Sequence, residues 1–303
     1  MVLRGRSGII VIYLPTPFVL RPSRSPTLVG LVQILSLDVV LGAGVSTVFV
    51  AKFLVAPIPY SSLLALCVCV WLIYTADHLI DAYALGRSVA HTARHRYHQT
   101  RFKTIALAWG VVALLGIGVL FYLPGKLIRY GSLLAAVVLL YAVLLKYTAL
   151  RTWLPKEFAT ALFYATGVFL PAMATYGAPL PWSASVLFFQ YFFLALANLL
   201  LFSWFEADVD RQDGHPSFAL SVGRPLVQLL IYGCLAVVGI SSVAFLSLVA
   251  ASEVTVAVQG TLLIMMLILL ALIRWPVYFR QYERYRLLGD GIFVLPIIPL
   301  LLL

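Results

Sequence analysis

Long apolar runs dominate the chain, broken at roughly regular intervals by short polar stretches. A bilayer core about 30 Å thick takes roughly 20 residues of helix. The runs therefore predict membrane-spanning helices at about 27–50, 58–81, 104–122, 130–146, 157–177, 183–205, 225–250, 255–273 and 288–303. Pro171 falls inside the fifth run and predicts a kink that neighbouring helices absorb. The expected fold class is an all-α integral membrane protein, a bundle of about nine transmembrane helices. Residues 1–26 read as a cytoplasmic N-terminal tail and 27–303 as a single polytopic transmembrane domain. Within the tail, "IIVIYLP" between arginines has the outline of a signal peptide. It lacks a small-residue cleavage site, and "PTPF" interrupts it, so a tail or an organelle transit segment is expected instead.

Composition agrees with that class. Hydrophobic residues make up 63% of the chain and charged residues 11%, against about half and a quarter in soluble domains. A net charge of +10 would suit nucleic acid in a soluble protein. In a polytopic one it reads as loop bias toward the cytoplasm and contact with anionic membrane lipid, with no nucleic acid as partner. Of the 21 lysines and arginines, only Lys52, Lys126 and Arg129 fall on the side opposite the tail. That bias puts the N-terminus and the ends of the second and sixth spans in the cytoplasm, in a bacterial inner membrane or an organelle membrane. Cys67, Cys69 and Cys234 lie within apolar runs and are expected to be small buried hydrophobes.

Two of these cytoplasmic ends carry carboxylates. "WLIYTADHLIDAY" ends the second span with Asp77 and Asp81, and "FEADVDRQDG" ends the sixth with Glu206, Asp208, Asp210 and Asp213. Residues i and i+4 share a helix face, so Asp77 and Asp81 align, as do Glu206 and Asp210, with Asp213 close to that stripe. Like charges so arranged repel, and a divalent cation offsets the repulsion. Carboxylates plus phosphate oxygens suit Mg²⁺, so two facing stripes predict a seat for a Mg²⁺–diphosphate. Asp208 lies off the stripe and is expected to be merely solvated. Asp38, placed near the middle of the first span, costs about 2.5–3.5 kcal/mol to insert and is expected to face the interior with a partner. The sixth span, "FFQYFFLALANLLLFSWF", carries Gln190 and Asn198 among aromatic rings that pack against lipid or shield an isoprenoid chain.

"EADVDRQDGHPSFALSVGR", residues 206–224, resembles the second acidic motif of the UbiA superfamily of intramembrane prenyltransferases. Glu206, Asp208, Asp210, Arg211, Gly214, Ser217 and Gly223 follow its spacing without a gap. Of the first motif only the second half is present, as Asp77 and Asp81, with Ile73 and Tyr74 where the family has Asn and Asp. The resemblance implies a UbiA-like bundle that moves a prenyl group from a prenyl diphosphate to an acceptor, with Mg²⁺ as cofactor. Asp77, Asp81, Glu206 and Asp210 would be catalytic and, with Asp213, metal-binding. Arg94 (near Thr92), Lys146 and Arg211 would bind diphosphate, and Asp38, Tyr74, Tyr141 and Asn198 would line the substrate pocket. A terpene cyclase of the same fold is a close variant of this reading, and the missing half-motif keeps open a non-enzymatic transporter or lipid-binding protein on the same scaffold. The Asp-Gly-x-x-Ala-Arg signature of CDP-alcohol phosphotransferases is absent. His91, His95 and His98 have spacings a transition metal accepts. The chain's five histidines are nonetheless fewer than the boxes of membrane hydroxylases require.

Overall fold

The structure is a computed structural model that describes residues 2–5, 8–11, 28–85, 93–147, 155–214, 217–249 and 252–302. Apart from an antiparallel ribbon of β1 (Val2–Gly5) and β2 (Gly8–Val11), the described chain folds entirely into helices and turns. Among the described residues, nine helical segments are long and apolar enough to cross a membrane, as a multi-pass membrane protein requires.

The first span is split into α1 (Leu28–Ile34) and α2 (Leu37–Leu54). Then follow α3 (Tyr60–Leu85), the short α4 (Ala93–Thr100), α5 (Phe102–Leu120), α6 (Gly125–Tyr147) and α7 (Lys156–Thr175). The sixth span is α8 (Trp182–Asp213), which the five-residue α9 (Phe218–Val222) joins to α10 (Arg224–Leu248) and α11 (Glu253–Arg274). The ninth span runs from Pro276 to Leu302 in pieces: α12 (Pro276–Arg280), a 3₁₀ turn, α13 (Arg284–Gly291), a second 3₁₀ turn (Ile292–Val294) and α14 (Ile297–Leu302).

α2 and α8 are the two inner helices, and both are buried along most of their length. α2 packs on α3, α7 and the broken ninth span, while α8 packs on α7, α10, α11 and α13. α5 and α6 pack at the rim, on α3 and α7, and turn nearly all their side chains outward to lipid. With no hydrophobic drive between helices in lipid, close approach of small residues holds spans together. Ala161, Ala165 and Ala172 on α7 and Ala197 on α8 are accordingly fully enclosed. Gly42 of α2 admits Phe293, whose Cβ would stand 2.9 Å from an added Cβ. Gly289 of α13 lies so tightly on α8 that a Cβ would collide with Asn198 and sit 2.7 Å from the Phe202 ring.

Three expectations are corrected. The first span is not continuous: Ser36 takes a left-handed conformation (φ 55°), so Asp38 begins α2 rather than sitting mid-helix. The ninth span starts twelve residues earlier than 288 and breaks where Tyr282 (φ 58°) and Glu283 (φ 53°) are both left-handed. Such a conformation costs roughly 1–2 kcal/mol per non-glycine residue, so surrounding contacts must hold it. Cys234 is buried as expected, but Cys69 is on the outer face. Pro171 is buried within α7, which continues through it to Thr175.

Candidate functional site at the acidic end of the bundle

α8 is 32 residues long, roughly 48 Å of helix, so its last turns extend past the hydrocarbon and carry Glu206, Asp208 and Asp210 with them. It stops at Gly214, whose left-handed conformation (φ 69°) returns its N–H to the Asp210 carbonyl. Gly223 (φ 85°) makes the break between α9 and α10. Two glycines of the motif are thus the two glycines with positive φ among the described residues. Ser203 Oγ accepts the Ala219 N–H at 3.0 Å and folds this linker back on α8.

On α3, Asp77, His78 and Asp81 bring one potential ligand atom each to within 4.8 Å of one another, the one such triad among the described residues. Lys156, the first residue of α7, donates to both Asp77 oxygens at 2.9 and 3.1 Å. Both side chains are about half exposed, so this cation is held loosely. His78 is buried, with Nε2 3.2 Å from Ser36 Oγ and 3.4 Å from Arg94 Nη1. A guanidinium only donates, so Nε2 is the acceptor in the Arg94 contact. His78 therefore fixes Arg94 and the Ser36 break. The donors left for a hard cation are the two carboxylates, Asp77 and Asp81, a set that fits Mg²⁺ completed by phosphate oxygens and water.

Arg94 is the hub. Its Nη2 donates to the Gln33 carbonyl at 3.3 Å, and its charge is felt with those of Asp38, Glu206, Arg286 and Asp290. Burial, and then the facing Arg286, draw the Arg94 guanidinium below its usual very high range, which still leaves it charged. His98, on the same short helix, is also buried and donates Nδ1–H to the Arg94 carbonyl at 3.0 Å. Burial pushes His98 below the usual imidazole range, the carbonyl pulls it partly back, and the Arg94 charge lowers it further.

On the other side, Glu206 Oε2 pairs with Arg286 Nη2 at 2.7 Å, and Glu206 Oε1 accepts from the Tyr285 hydroxyl at 3.2 Å. Tyr285 also stacks on Phe205, with ring centroids 4.3 Å apart and planes 4° from parallel. Asp208 is not merely solvated: Arg224 reaches it at 2.8 Å and Arg280 at 3.4 Å. Asp290 Oδ1 accepts from Asn198 Nδ2 at 3.2 Å. Asp38 is buried, its Oδ1 taken by the Val39 N–H. A cavity of about 20 Å³ lies among Val39, Tyr74, Tyr164, Asn198, Asp290 and Phe293.

The expected residues thus divide. Asp77 joins Asp81, Glu206 lies one turn from Asp210, and Tyr74 and Asn198 line one cavity. α3 and α8 both pack on α7, and among the described residues the two stripes form no extended seam with each other. Tyr141 packs edge-on against Phe163 between α6 and α7, and Arg211 is exposed on the last turn of α8. Thr92 and His91 lie outside the described residues, as do the side chains of His95, Lys146 and Asp213. Sequence reasoning missed His78, Lys156, Tyr285, Arg286 and Asp290. Arg286 and Asp290 stand four apart at the head of an apolar run, the same signal that singled out Asp77 and Asp81. Comparison with protein-family models, with curated proteins and with solved structures found no match to this chain.

Proposed function

We propose that the protein is a UbiA-like intramembrane transferase that moves a prenyl group from a prenyl diphosphate to an acceptor. The observation that carries this reading is the gathering of carboxylates and guanidiniums at one end of an apolar bundle. Asp77 and Asp81, Glu206 and Asp210, Arg94 and Arg286 all lie where helices end. An isoprenoid diphosphate needs both halves of that arrangement, greasy walls for its chain and fixed charge for its head. The bias of lysine and arginine toward this end supports a cytoplasmic placement for it.

Asp77 and Asp81 would hold Mg²⁺, with Glu206 and Asp210 facing the diphosphate from the other side. The ion, when bound, neutralises charge on the departing diphosphate. Lys156 pairs with Asp77 and, being half exposed, could be displaced by a divalent ion bound there. Arg94 binds diphosphate oxygens through its guanidinium fork, with His78 and the Gln33 carbonyl fixing its position. Arg286 orients Glu206 and adds positive charge to the same end. The apolar residues around the cavity exclude bulk water from the carbon that loses its leaving group.

A second reading, a transporter or lipid-binding protein, draws on the narrow cavity and on the ion pairs already closed at Asp77 and Glu206. Protein in lipid nanodiscs, incubated with farnesyl or geranylgeranyl diphosphate with and without Mg²⁺, separates the two. Diphosphate release that needs Mg²⁺ and is lost in Asp81→Asn and Glu206→Gln supports transfer. Mg²⁺-dependent binding or flux without release supports the second reading.

A further inference from the structure

Among the described residues, two of the polar clusters inside the bundle differ in one respect. The first is closed on itself. Gln190 Nε2 donates to Gln259 Oε1 at 2.9 Å and to Ser242 Oγ at 3.1 Å, and Gln259 Nε2 donates back to Gln190 Oε1 at 3.3 Å. It clamps α8 to α10 and α11, and its two glutamines satisfy each other.

The second cluster is open. Asp290 accepts one hydrogen bond, from Asn198 to Oδ1, and the charges of Arg94 and Arg286 reach it, while no hydrogen bond to Oδ2 is found among the described residues. Nearby, Asp38 Oδ2, Asn198 Oδ1 and Tyr164 Oη are all buried without a hydrogen-bond partner among the described residues. Each such atom costs about 1–3 kcal/mol, and a membrane interior has no bulk water to relieve it. Asp290, Asn198 and Tyr164 border the same small cavity, whose remaining walls include Val39, Leu199 and Phe293. Its free volume of about 20 Å³ takes one water-sized group and no more. The backbone is built to present these atoms: Gly289 lets α13 close on Asn198, and the Ser36 break starts α2 at the level of Asp38.

We propose that this cavity seats the nucleophile of the reaction, an O–H group of water size, with Asp290 Oδ2 as its proton acceptor. The inference rests on the prenyl-diphosphate reading above and names the acceptor class that reading leaves open. The group is water or the terminal hydroxyl of an unhindered alcohol. The bond between prenyl C1 and the diphosphate oxygen breaks, and its electron pair leaves with diphosphate. The seated oxygen forms the new C1–O bond and gives its proton to Asp290. The products are diphosphate and a prenyl alcohol or ether, with no oxidant or reductant needed. Asn198 holds Asp290 by its other oxygen and is a positioning residue.

Two measurements test this on the full chain in nanodiscs. In the first, farnesyl diphosphate is turned over with Mg²⁺ in H₂¹⁸O, with and without ethanol. Diphosphate is assayed, and the organic product is read by mass spectrometry. Expected is ¹⁸O-farnesol if the seat takes water, or unlabelled farnesyl ethyl ether formed at the expense of farnesol if it takes alcohols. Asp290→Asn should bind farnesyl diphosphate like the wild type but lose about 10²–10⁴-fold in product formation. Tyr164→Phe, which removes only a hydroxyl, should lose less and guards against misfolding as the cause. Wild-type release with undiminished activity in Asp290→Asn overturns the seat and leaves prenyl transfer standing. No release from the wild type overturns the transfer reading, and with it the nucleophile role. The second measurement is a high-resolution map of the resting protein, which needs no turnover. A solvent peak within hydrogen-bond reach of Asp290 Oδ2 is expected, and a dry cavity there overturns the seat by itself.

Discussion

Arg286→Met should destabilise the protein more than any other single loss of charge at the acidic end. Its guanidinium lies 2.7 Å from Glu206, and the two side chains are only 15% and 18% exposed. Removing one partner of a buried pair strands the other charge, at a cost of about 3–5 kcal/mol. The Tyr285 hydroxyl remains on Glu206 Oε1 and relieves part of that, which favours the lower figure, about 3 kcal/mol. At about 2–4 °C per kcal/mol, the melting temperature should fall by about 6–12 °C. Arg224→Met provides the contrast. Its pair with Asp208 is nearly as short, at 2.8 Å, but the side chains are 35% and 47% exposed, so its loss should cost under about 1 kcal/mol. Thermal unfolding followed by tryptophan fluorescence in nanodiscs reads both. The double variant Glu206→Gln/Arg286→Met buries no lone charge and should regain most of the loss. If the two single effects simply add, within about 0.5 kcal/mol, Glu206 and Arg286 do not anchor the ninth span together, and the reasoning fails.

Other consequences are briefer. Gly289→Ala drives a methyl into Asn198 and Phe202. It should cost about 1–3 kcal/mol in the same unfolding assay, and a neutral result would mean that α13 is not seated on α8. His98 is held below the usual imidazole range by burial, so the unfolded chain takes up a proton that the folded chain refuses. Stability should be intact above about pH 6.5 and decline as pH falls from there toward the folded value. Melting temperatures from pH 7.5 to 5.5 should lose that decline in His98→Gln. Lys156→Met frees Asp77 of its cation. Mn²⁺ affinity, read by electron paramagnetic resonance, should then tighten by up to about fivefold and vanish in Asp81→Asn. Weaker Mn²⁺ binding in Lys156→Met would mean that the lysine helps build the site.

Most of the architecture was legible because the bilayer imposes a length. A run of apolar residues announces its helix without knowledge of neighbours, so seven spans were located to within about five residues of their ends, while the sixth runs eight residues past its expected end at 205. What the runs hide is interruption. Residues around Ser36 stay apolar enough to read as one helix, and only tertiary contacts, His78 on Ser36 Oγ and Arg94 on the Gln33 carbonyl, stop it there. The opposite error arose at residues 276–291. "VYFRQYERYRLLGDG" is charged enough to read as a loop, so Arg286 was counted with the orientation-setting charges. In the fold it is enclosed and paired with Glu206. Spacing placed Asp77 with Asp81, and Glu206 with Asp210, because intrahelical geometry is local. Which cation meets which acid is a property of helix packing, and no single segment encodes it.

Both broken spans break on the same side of the bundle, and this bears on how a greasy chain can hold charge. A continuous helix through the membrane keeps every backbone group paired and can offer only side chains at its two ends. A helix that stops and restarts brings charged residues inward at a cost in strain that packing must repay. Ser36 restarts the chain at Asp38, and the left-handed pair Tyr282 and Glu283 restarts it at Tyr285, Arg286 and Asp290. The contacts that hold these strained turns are the same ones that arrange the site: His78 on Ser36, and Glu206 on Arg286 and Tyr285. Position and charge are therefore coupled. A diphosphate that displaced Arg286 from Glu206 would also loosen α13, move Gly289 off Asn198 and widen the cavity beside Asp290. On the prenyl-transfer reading, a narrow resting cavity would thus be compatible with a long prenyl substrate, because a head group held at the acids would act on the element that borders the cavity.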